Sequence, residues 1–66
     1  FKDQLMRYCQ QSKIPLPVYT VESHDSKTFT VSVTVNDSKV GVGSASTKKQ
    51  AEQNAAQEGL KNIGII

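Results

Sequence analysis

An alternating run at positions 28–35 most constrains what this chain can fold into. Successive side chains of a strand point to opposite faces, so this run has one apolar face and one hydroxyl face. The apolar face carries Phe29, Val31, Val33 and Val35, and the hydroxyl face carries Thr28, Thr30, Ser32 and Thr34. A period of two does not fit a helix, and it predicts a strand with a buried side and a wetted side.

A preceding strand is predicted over residues 18–22, which are rich in the β-branched and aromatic side chains that favour strands. The polar residues 23–27 predict a loop between the two strands. Residues 14–17 (Ile-Pro-Leu-Pro) predict an extended connector, because each proline disfavours helical conformation in the residue before it.

A third strand is predicted after a hairpin turn at residues 36–38 (Asn-Asp-Ser). Val40 and Val42 continue the apolar alternation into this strand. Gly41 and Gly43 leave three alternatives: they weaken the strand, allow a bulge, or let a backbone or ligand approach closely.

A first helix is predicted over residues 1–12, before the proline-rich connector. Apolar residues recur at helical spacing on one face, namely Phe1, Leu5, Tyr8 and Cys9. Met6 lies off this face, where it serves either as a partial core contact or as an adaptable contact surface.

A second helix is predicted over residues 47–63. Its small apolar face and the seam that extends it consist of Ala51, Ala55, Ala56, Leu60 and Ile63. Gly59 inside a helix costs about 1 kcal/mol relative to alanine, and a close approach of the sheet would account for it. Gly64 is a predicted C-cap, and the apolar Ile65 and Ile66 beyond it are either a helix cut short or an interface.

The predicted fold is α+β in the order α-β-β-β-α, with a three-stranded antiparallel sheet and two helices packed on one face. The 66 residues suffice for a single domain, 1–66, with one modest core. Because the chain begins at Phe1 without a methionine, we expect it to be a fragment of a longer protein.

The start of the second helix carries the strongest chemical signal. Thr47 offers a hydroxyl to cap free backbone N–H groups, and Gln50 three residues later completes a weak capping box. Lys48 and Lys49 add two positive charges where the helix dipole already favours an anion. The pattern fits either a phosphate-binding helix N-terminus or an ordinary solvated cap.

Several other classes of function are disfavoured. Cys9 has no cysteine partner, and its spacing from Leu5 predicts a buried side chain. His24 lacks the partners of a catalytic triad, and no metal spacing, P-loop or carboxylate pair appears, so we expect neither catalysis nor a metal or cofactor. No apolar stretch approaches a membrane span. The net charge of +2 permits a polyanionic partner without arguing for one.

The chain resembles the double-stranded RNA-binding domain family over almost its whole length. The matching pieces are Phe1-Lys2-x-x-Leu5-x-x-Tyr8, Pro15-x-Pro17-Val18-Tyr19, Lys27-Thr28-Phe29 and Gly43-Ser44-Ala45-Ser46-Thr47-Lys48-Lys49-x-Ala51-x-x-x-Ala55-Ala56. Each piece is weak alone, whereas their shared order and spacing are specific. Residues 1–2 and 14–19 look most like plant members, found in Dicer-partner proteins or in plant Dicer and ribonuclease III-type enzymes.

The resemblance implies recognition of A-form RNA by shape over about 16 base pairs, with contacts to two minor grooves and the major groove between them. Three groups of contact residues follow from it: Thr47, Lys48 and Lys49 on major-groove phosphates; Met6 and Arg7, with Lys2 or Asp3 at the margin, in one minor groove; and His24, Ser26 and Lys27 in the other. Sequence preference would be slight or absent.

Three departures from the family pattern bear on this mechanism. His24 lies one place early relative to Phe29, and the usual Gly-Pro is absent, which leaves the loop geometry open. Arg7 replaces a common glutamate and would bind phosphate in place of a ribose hydroxyl. Glu52 replaces a third lysine, so its negative charge predicts weaker binding than in a three-lysine member.

Two functions are compatible with the sequence. The first is binding of double-stranded RNA; the alternative is a protein–protein interaction or dimerisation module of the same fold, pairing through the sheet edge or the first helix. Paired lysines at a capped helix start favour RNA, since an interaction module has no physical need for them. A Dicer-type or other double-stranded RNA-binding protein is the second expected partner, in RNA silencing and small-RNA processing. Without a disulfide framework we expect an intracellular location, in the nucleus, the cytoplasm or both.

Overall fold

The computed structural model describes residues 1–65 and confirms the predicted order of elements. Helix α1 (Lys2–Gln11) is followed by strands β1 (Val18–His24), β2 (Phe29–Val35) and β3 (Ser38–Ala45), and by helix α2 (Lys48–Ile63). The strands form one antiparallel sheet in the order β1-β2-β3. Both helices contribute to a single core on one face of the sheet, as predicted.

The core lies between β2 and the two helices. Its buried apolar members are Leu5 and Cys9 of α1, Val31, Val33 and Val35 of β2, and Ala51, Ala55, Ala56 and Leu60 of α2. They meet because side chains four apart on a helix, and two apart on a strand, share a face. Phe1 departs from the prediction: it lies at the N-cap, just before α1, and is 47% exposed.

Helix α2 packs closely on β3 because glycines occupy the contact positions. A Cβ added at Gly43 would lie 2.6 Å from the Ala51 carbonyl oxygen, and one added at Gly41 would lie 2.5 Å from the backbone nitrogen of Gly59. Real Cβ atoms do not approach other atoms so closely. Of the three alternatives for these glycines, close approach of a backbone is confirmed, and the backbone is that of α2. A bulge is also present in β3, at Val40 beside Gly41.

A β-bulge breaks the alternation predicted for β3. The register with β2 shifts between Val33 and Thr34, which leaves Val40 as an extra residue on β3. Val40 still packs against the core, whereas Val42 points to the opposite face and is 46% exposed. The prediction that these two valines share the apolar face is therefore wrong.

The hydroxyl face of the sheet is less wetted than predicted. Ser32 is only 1% exposed, because Glu22 of β1 lies over it and accepts a hydrogen bond from its hydroxyl. Lys39 of β3 approaches the same carboxylate oxygen at 3.2 Å. The hydrogen bonds from Ser32 and Lys39 lower the pKa of Glu22. One carboxylate thus joins all three strands and covers a serine that we predicted to be solvated.

The predicted hairpin turn and C-cap are confirmed. Asn36 and Asp37 join β2 to β3 with φ values of 52° and 66°, a left-handed conformation that these residue types tolerate. Gly64 ends α2 with φ 95°, and its N–H donates to carbonyls of the last turn. Ile65 is 43% exposed, while Ile66 lies outside the described residues.

Candidate nucleic-acid interface

The N-terminus of α2 presents two cations beside free backbone donors. Thr47 is the N-cap, and its Oγ1 accepts a hydrogen bond from the Gln50 N–H at 3.1 Å. Lys48 and Lys49 are exposed, and no carboxylate of residues 1–65 pairs with either. Their backbone N–H groups also find no acceptor within residues 1–65. Free N–H groups, the helix dipole and two lysines all favour an anion here.

Only half of the predicted capping box forms. The Gln50 side chain donates to Asn54 Oδ1 at 3.1 Å and does not return to the Thr47 N–H. Asn54 in turn donates to the carbonyl oxygen of Ser44 at 3.0 Å. These contacts connect the first turns of α2 to the end of β3, and they fix the orientation of the start of α2 relative to the sheet.

The β1–β2 loop, residues 25–28, lies at the same end of the sheet as the α2 N-terminus. His24 pairs with Phe29, and Phe29 pairs with Ala45, so one row of residues crosses the three strands at this end. Helix α2 begins shortly after Ala45. The sheet register therefore brings the loop and the paired lysines together.

Asp25 organises this loop. Its Oδ1 accepts hydrogen bonds from the N–H groups of Lys27 at 2.9 Å and Thr28 at 2.7 Å, and its own N–H donates to the Thr28 carbonyl at 3.0 Å. The two backbone hydrogen bonds to its carboxylate lower the pKa of Asp25. Ser26 and Lys27 are exposed at the tip of a loop with a defined backbone.

His24 lies in β1 and not in the loop, so its predicted placement is wrong. A bulge at Glu22 shifts the register and lets Ser23 and His24 continue the ladder with β2. The imidazole stacks on the Phe29 ring with 4.1 Å between centroids. His24 is nevertheless exposed, so its ring adjoins the loop in an orientation that Phe29 sets.

Helix α1 presents Met6 and Arg7 to solvent, as a groove contact requires. Met6 is 41% exposed and lines a groove of about 170 Å³ together with Leu16, Pro17 and Tyr19. Of the two alternatives for Met6, the structure favours a contact surface over a core position. Arg7 and Met6 follow each other on the exposed side of the helix.

Lys2, unlike the lysines of α2, is held by neighbouring side chains. Its Nζ pairs with Glu52 Oε1 at 2.8 Å and lies 5.0 Å from the centroid of the Tyr19 ring. Its backbone N–H donates to Gln53 Oε1 at 3.2 Å. Glu52 is therefore the ion-pair partner of Lys2 and not the free anion that the sequence suggests. The sequence does not predict this contact or the role of Gln53, because residues about fifty positions apart leave no local pattern.

Within residues 1–65, no cluster of three or more His, Cys, Asp or Glu side chains is arranged to hold a metal ion. No helix in that range combines the length and apolarity needed to cross a membrane. Cys9 is buried, as predicted, and burial raises the pKa of its thiol. Burial likewise raises the pKa of Tyr19 to about 12, and its hydroxyl has no hydrogen-bond partner within residues 1–65. Both groups stay protonated at neutral pH.

Comparison with curated proteins finds a related enzyme over nearly the whole chain. Ribonuclease 3 of Chlorobaculum tepidum is 40% identical over 67 residues, which cover 96% of this chain and 25% of the relative. The chain thus spans about a quarter of that relative's length. The predicted placement among plant members is not confirmed, because a bacterial protein matches the chain this completely.

Comparison with solved structures and family models agrees with the fold. The crystal structure of the tRNA-dihydrouridine(20) synthase dsRBD domain has a TM-score of 0.84 and 30% identity, covering 98% of this chain and 71% of that one. The solution structure of DRB4 dsRBD2 has a TM-score of 0.71 and 33% identity, covering 94% and 92%. The family model described as "Double-stranded RNA binding motif" matches residues 1–63. The chain therefore belongs to the double-stranded RNA-binding motif family.

Proposed function

We propose that this chain binds double-stranded RNA by its A-form shape, with the N-terminus of α2 as the central contact. The observation that carries the proposal is the exposure of Lys48 and Lys49 beside free backbone N–H groups, with no carboxylate partner in residues 1–65. Phosphate oxygens satisfy both the cations and the N–H donors. Family membership and the similarity to Ribonuclease 3 support RNA as the partner.

Two flanking regions complete the proposed RNA face. On one side of the α2 N-terminus, the tip of the β1–β2 loop offers Ser26 and Lys27 to the 2′-hydroxyls of one minor groove. On the other side, α1 offers Met6 and Arg7 to the next minor groove, with the guanidinium on phosphate. Loop, helix start and α1 thus follow the order minor, major, minor groove along a duplex.

The role proposed for this domain is binding without catalysis. The parent protein is proposed to be a ribonuclease or a partner of one, in RNA silencing or small-RNA processing, inside the nucleus or cytoplasm. A Dicer-type partner remains part of this proposal. The alternative is a protein-interaction module that pairs through the sheet edge or α1. At the β3 edge two carbonyl acceptors are already occupied, since Asn54 and Asn62 of α2 donate to them.

The test is the double substitution Lys48→Ala/Lys49→Ala, with affinity for duplex RNA measured by fluorescence anisotropy at several salt concentrations. We expect strong weakening, and a salt slope smaller by about 0.7–0.9 for each phosphate that the variant no longer neutralises. Lys13→Ala/Lys61→Ala is the matched control, because it removes the same charge from exposed positions near the C-terminal ends of α1 and α2. Equal binding by parent and test variant at every salt concentration would show that the α2 mechanism is wrong.

Duplex DNA and single-stranded RNA of the same length complete the experiment. A-form recognition predicts a clear preference for duplex RNA over both. Equal binding to all three would mean generic electrostatic attraction. No binding to any would refute the proposal and favour the interaction module.

A further inference from the structure

Helix α1 packs mainly against α2, and Lys2 supplies polar contacts at its N-terminal end. The Lys2 ammonium pairs with Glu52 of α2 at 2.8 Å, and the Lys2 backbone N–H donates to Gln53 of α2 at 3.2 Å. The same ammonium lies 5.0 Å from the centroid of the Tyr19 ring in β1. One residue therefore joins three elements, at the end of α1 nearest the α2 N-terminus.

The Lys2–Glu52 pair is shielded on its carboxylate side. The Glu52 side chain is 17% exposed and that of Lys2 is 36% exposed. Partial burial reduces screening by salt, so the pair holds its geometry better than a fully solvated one. Removing either partner leaves the other partly desolvated and unpaired, which favours a rearrangement of α1.

We propose that Lys2 and Glu52 form a clamp that fixes α1 relative to the N-terminus of α2, with Lys2 as a positioning residue and not a phosphate ligand. The inference rests on the proposed RNA binding, since Met6 and Arg7 must reach a minor groove at a set distance from the α2 N-terminus. A fixed separation favours A-form over B-form duplexes, whose groove dimensions differ. Glu52 then supports RNA binding although its charge repels phosphate.

The variant Glu52→Gln separates the clamp from simple charge effects. Removing an anion beside a polyanion tightens binding if charge alone decides affinity. The clamp gives the opposite result: duplex RNA binding weakens by about two- to fivefold, the range of a partly exposed ion pair. The affinity for duplex DNA changes less, so the ratio of RNA to DNA affinity falls. Fluorescence anisotropy with the two duplexes measures both quantities.

Lys2→Gln and the combination Lys2→Gln/Glu52→Gln complete a double-mutant cycle. With a clamp, the combination weakens RNA binding no more than either single change, because each removes the same ion pair. With Lys2 as a phosphate ligand, Lys2→Gln lowers the salt slope by about 0.7–0.9, Glu52→Gln tightens binding, and the two effects add. That second pattern would overturn the clamp.

Residual dipolar couplings of the backbone N–H groups in α1 and α2 report the orientation of the helices without RNA. We expect both single variants to stay folded and to show altered α1 couplings, while those of α2 are retained. Unchanged couplings, or a Glu52→Gln variant that binds duplex RNA as tightly as the parent, would refute the clamp. Failure of the proposed function looks different, because the parent itself would then show no preference for duplex RNA.

Discussion

Among single residues, Asp25 determines the shape of the β1–β2 loop. The backbone N–H groups of Lys27 and Thr28 both donate to its carboxylate, at 2.9 Å and 2.7 Å. Ser26 and Lys27 are therefore presented from a defined backbone. Because a protonated carboxyl is a weaker acceptor, we expect these two hydrogen bonds to weaken when the carboxylate is protonated.

The loop should open in acid. Since hydrogen bonds to the ionised form lower the folded-state pKa of Asp25, their stabilisation is present above the unfolded value of about 3.9 and disappears as pH falls through the folded value. Amide resonances of Lys27 and Thr28, followed by NMR from neutral pH downwards, should therefore shift only below about pH 4. The Asp25→Asn variant should lack this transition. A midpoint above that range would contradict the proposed hydrogen bonds.

The position of His24 in β1 could not be predicted from the sequence. Its polar neighbours indicate a loop, but the bulge at Glu22 and the stacking on Phe29 extend β1 through it. Both causes depend on a partner strand. The residue type therefore predicts that His24 is exposed, but it does not predict whether His24 lies in a strand or in a loop.

At the scale of elements, the packing of α2 on β3 requires glycine at position 43, where there is no room for a side chain. Gly43→Ala would place a Cβ 2.6 Å from the Ala51 carbonyl oxygen, so the helix and strand backbones must separate. We expect destabilisation of roughly 3 kcal/mol, at the upper end of overpacking effects. Urea unfolding of the parent and the variant measures it.

Gly59→Ala is the matched control for Gly43→Ala. Its added Cβ would meet a side-chain methyl of Val40 at 3.1 Å, which a small side-chain shift can relieve. Alanine also gains about 1 kcal/mol over glycine within a helix. We expect a free energy of unfolding within about 1 kcal/mol of the parent. Equal destabilisation at the two positions would contradict the argument that a Cβ at Gly43 disrupts a close contact between the α2 and β3 backbones.

The periodicity of apolar residues sufficed to predict the helices and strands, because each element has its own regular spacing of buried side chains. The alternation in β2 and the small face of α2 identify their buried sides without knowledge of the partner. The two bulges, at Glu22 and Val40, have no such signature, since they arise from the register between strands. The burial of Ser32 also depends on a neighbouring strand, because Glu22 of β1 lies over it.

The candidate site likewise has a part that could be predicted from the sequence and a part that could not. The paired lysines and the Thr47 cap are contiguous in sequence, so their chemistry can be predicted from a short segment. The contact between Lys2 and Glu52 joins residues fifty positions apart, and only the packing of α1 against α2 brings them together. Charge counting at the helix start therefore misjudges Glu52, whose charge Lys2 offsets.

For the molecule as a whole, the sheet has two edge strands, β1 and β3, and side chains of α2 reach carbonyl oxygens of β3. Asn54 donates to the carbonyl of Ser44 at 3.0 Å, and Asn62 donates to that of Val40 at 2.6 Å. An edge whose acceptors are occupied is a poor template for another strand. We expect Asn54→Ala/Asn62→Ala to self-associate through β3 more than the parent does, as judged by sedimentation velocity. Gln57→Ala, on the same helix, should sediment like the parent. An Asn54→Ala/Asn62→Ala variant that associates no more than the parent would contradict this role of the two asparagines.

The three proposed contact regions lie along a molecule 38 Å in its longest dimension, so we expect affinity to depend on duplex length. A duplex of about 16 base pairs engages both minor grooves, whereas one of about 10 base pairs leaves the loop or α1 without a groove. After correction for the number of binding positions, we expect the shorter duplex to bind at least about tenfold more weakly, because one or two favourable interactions no longer form.

A variant that lacks a contact to one of the two minor grooves should show a smaller dependence of affinity on duplex length. Arg7→Ala removes a proposed contact of α1, so it should weaken binding to the longer duplex more than binding to the shorter one, which can also bind through the loop without α1. Isothermal titration of both duplexes with parent and variant measures the four affinities. If the α2 N-terminus acted alone, affinity per position would be the same for both lengths, and Arg7→Ala would leave both affinities nearly unchanged. The length series thus distinguishes recognition of duplex shape by the whole face from attraction of phosphate to a single helix end.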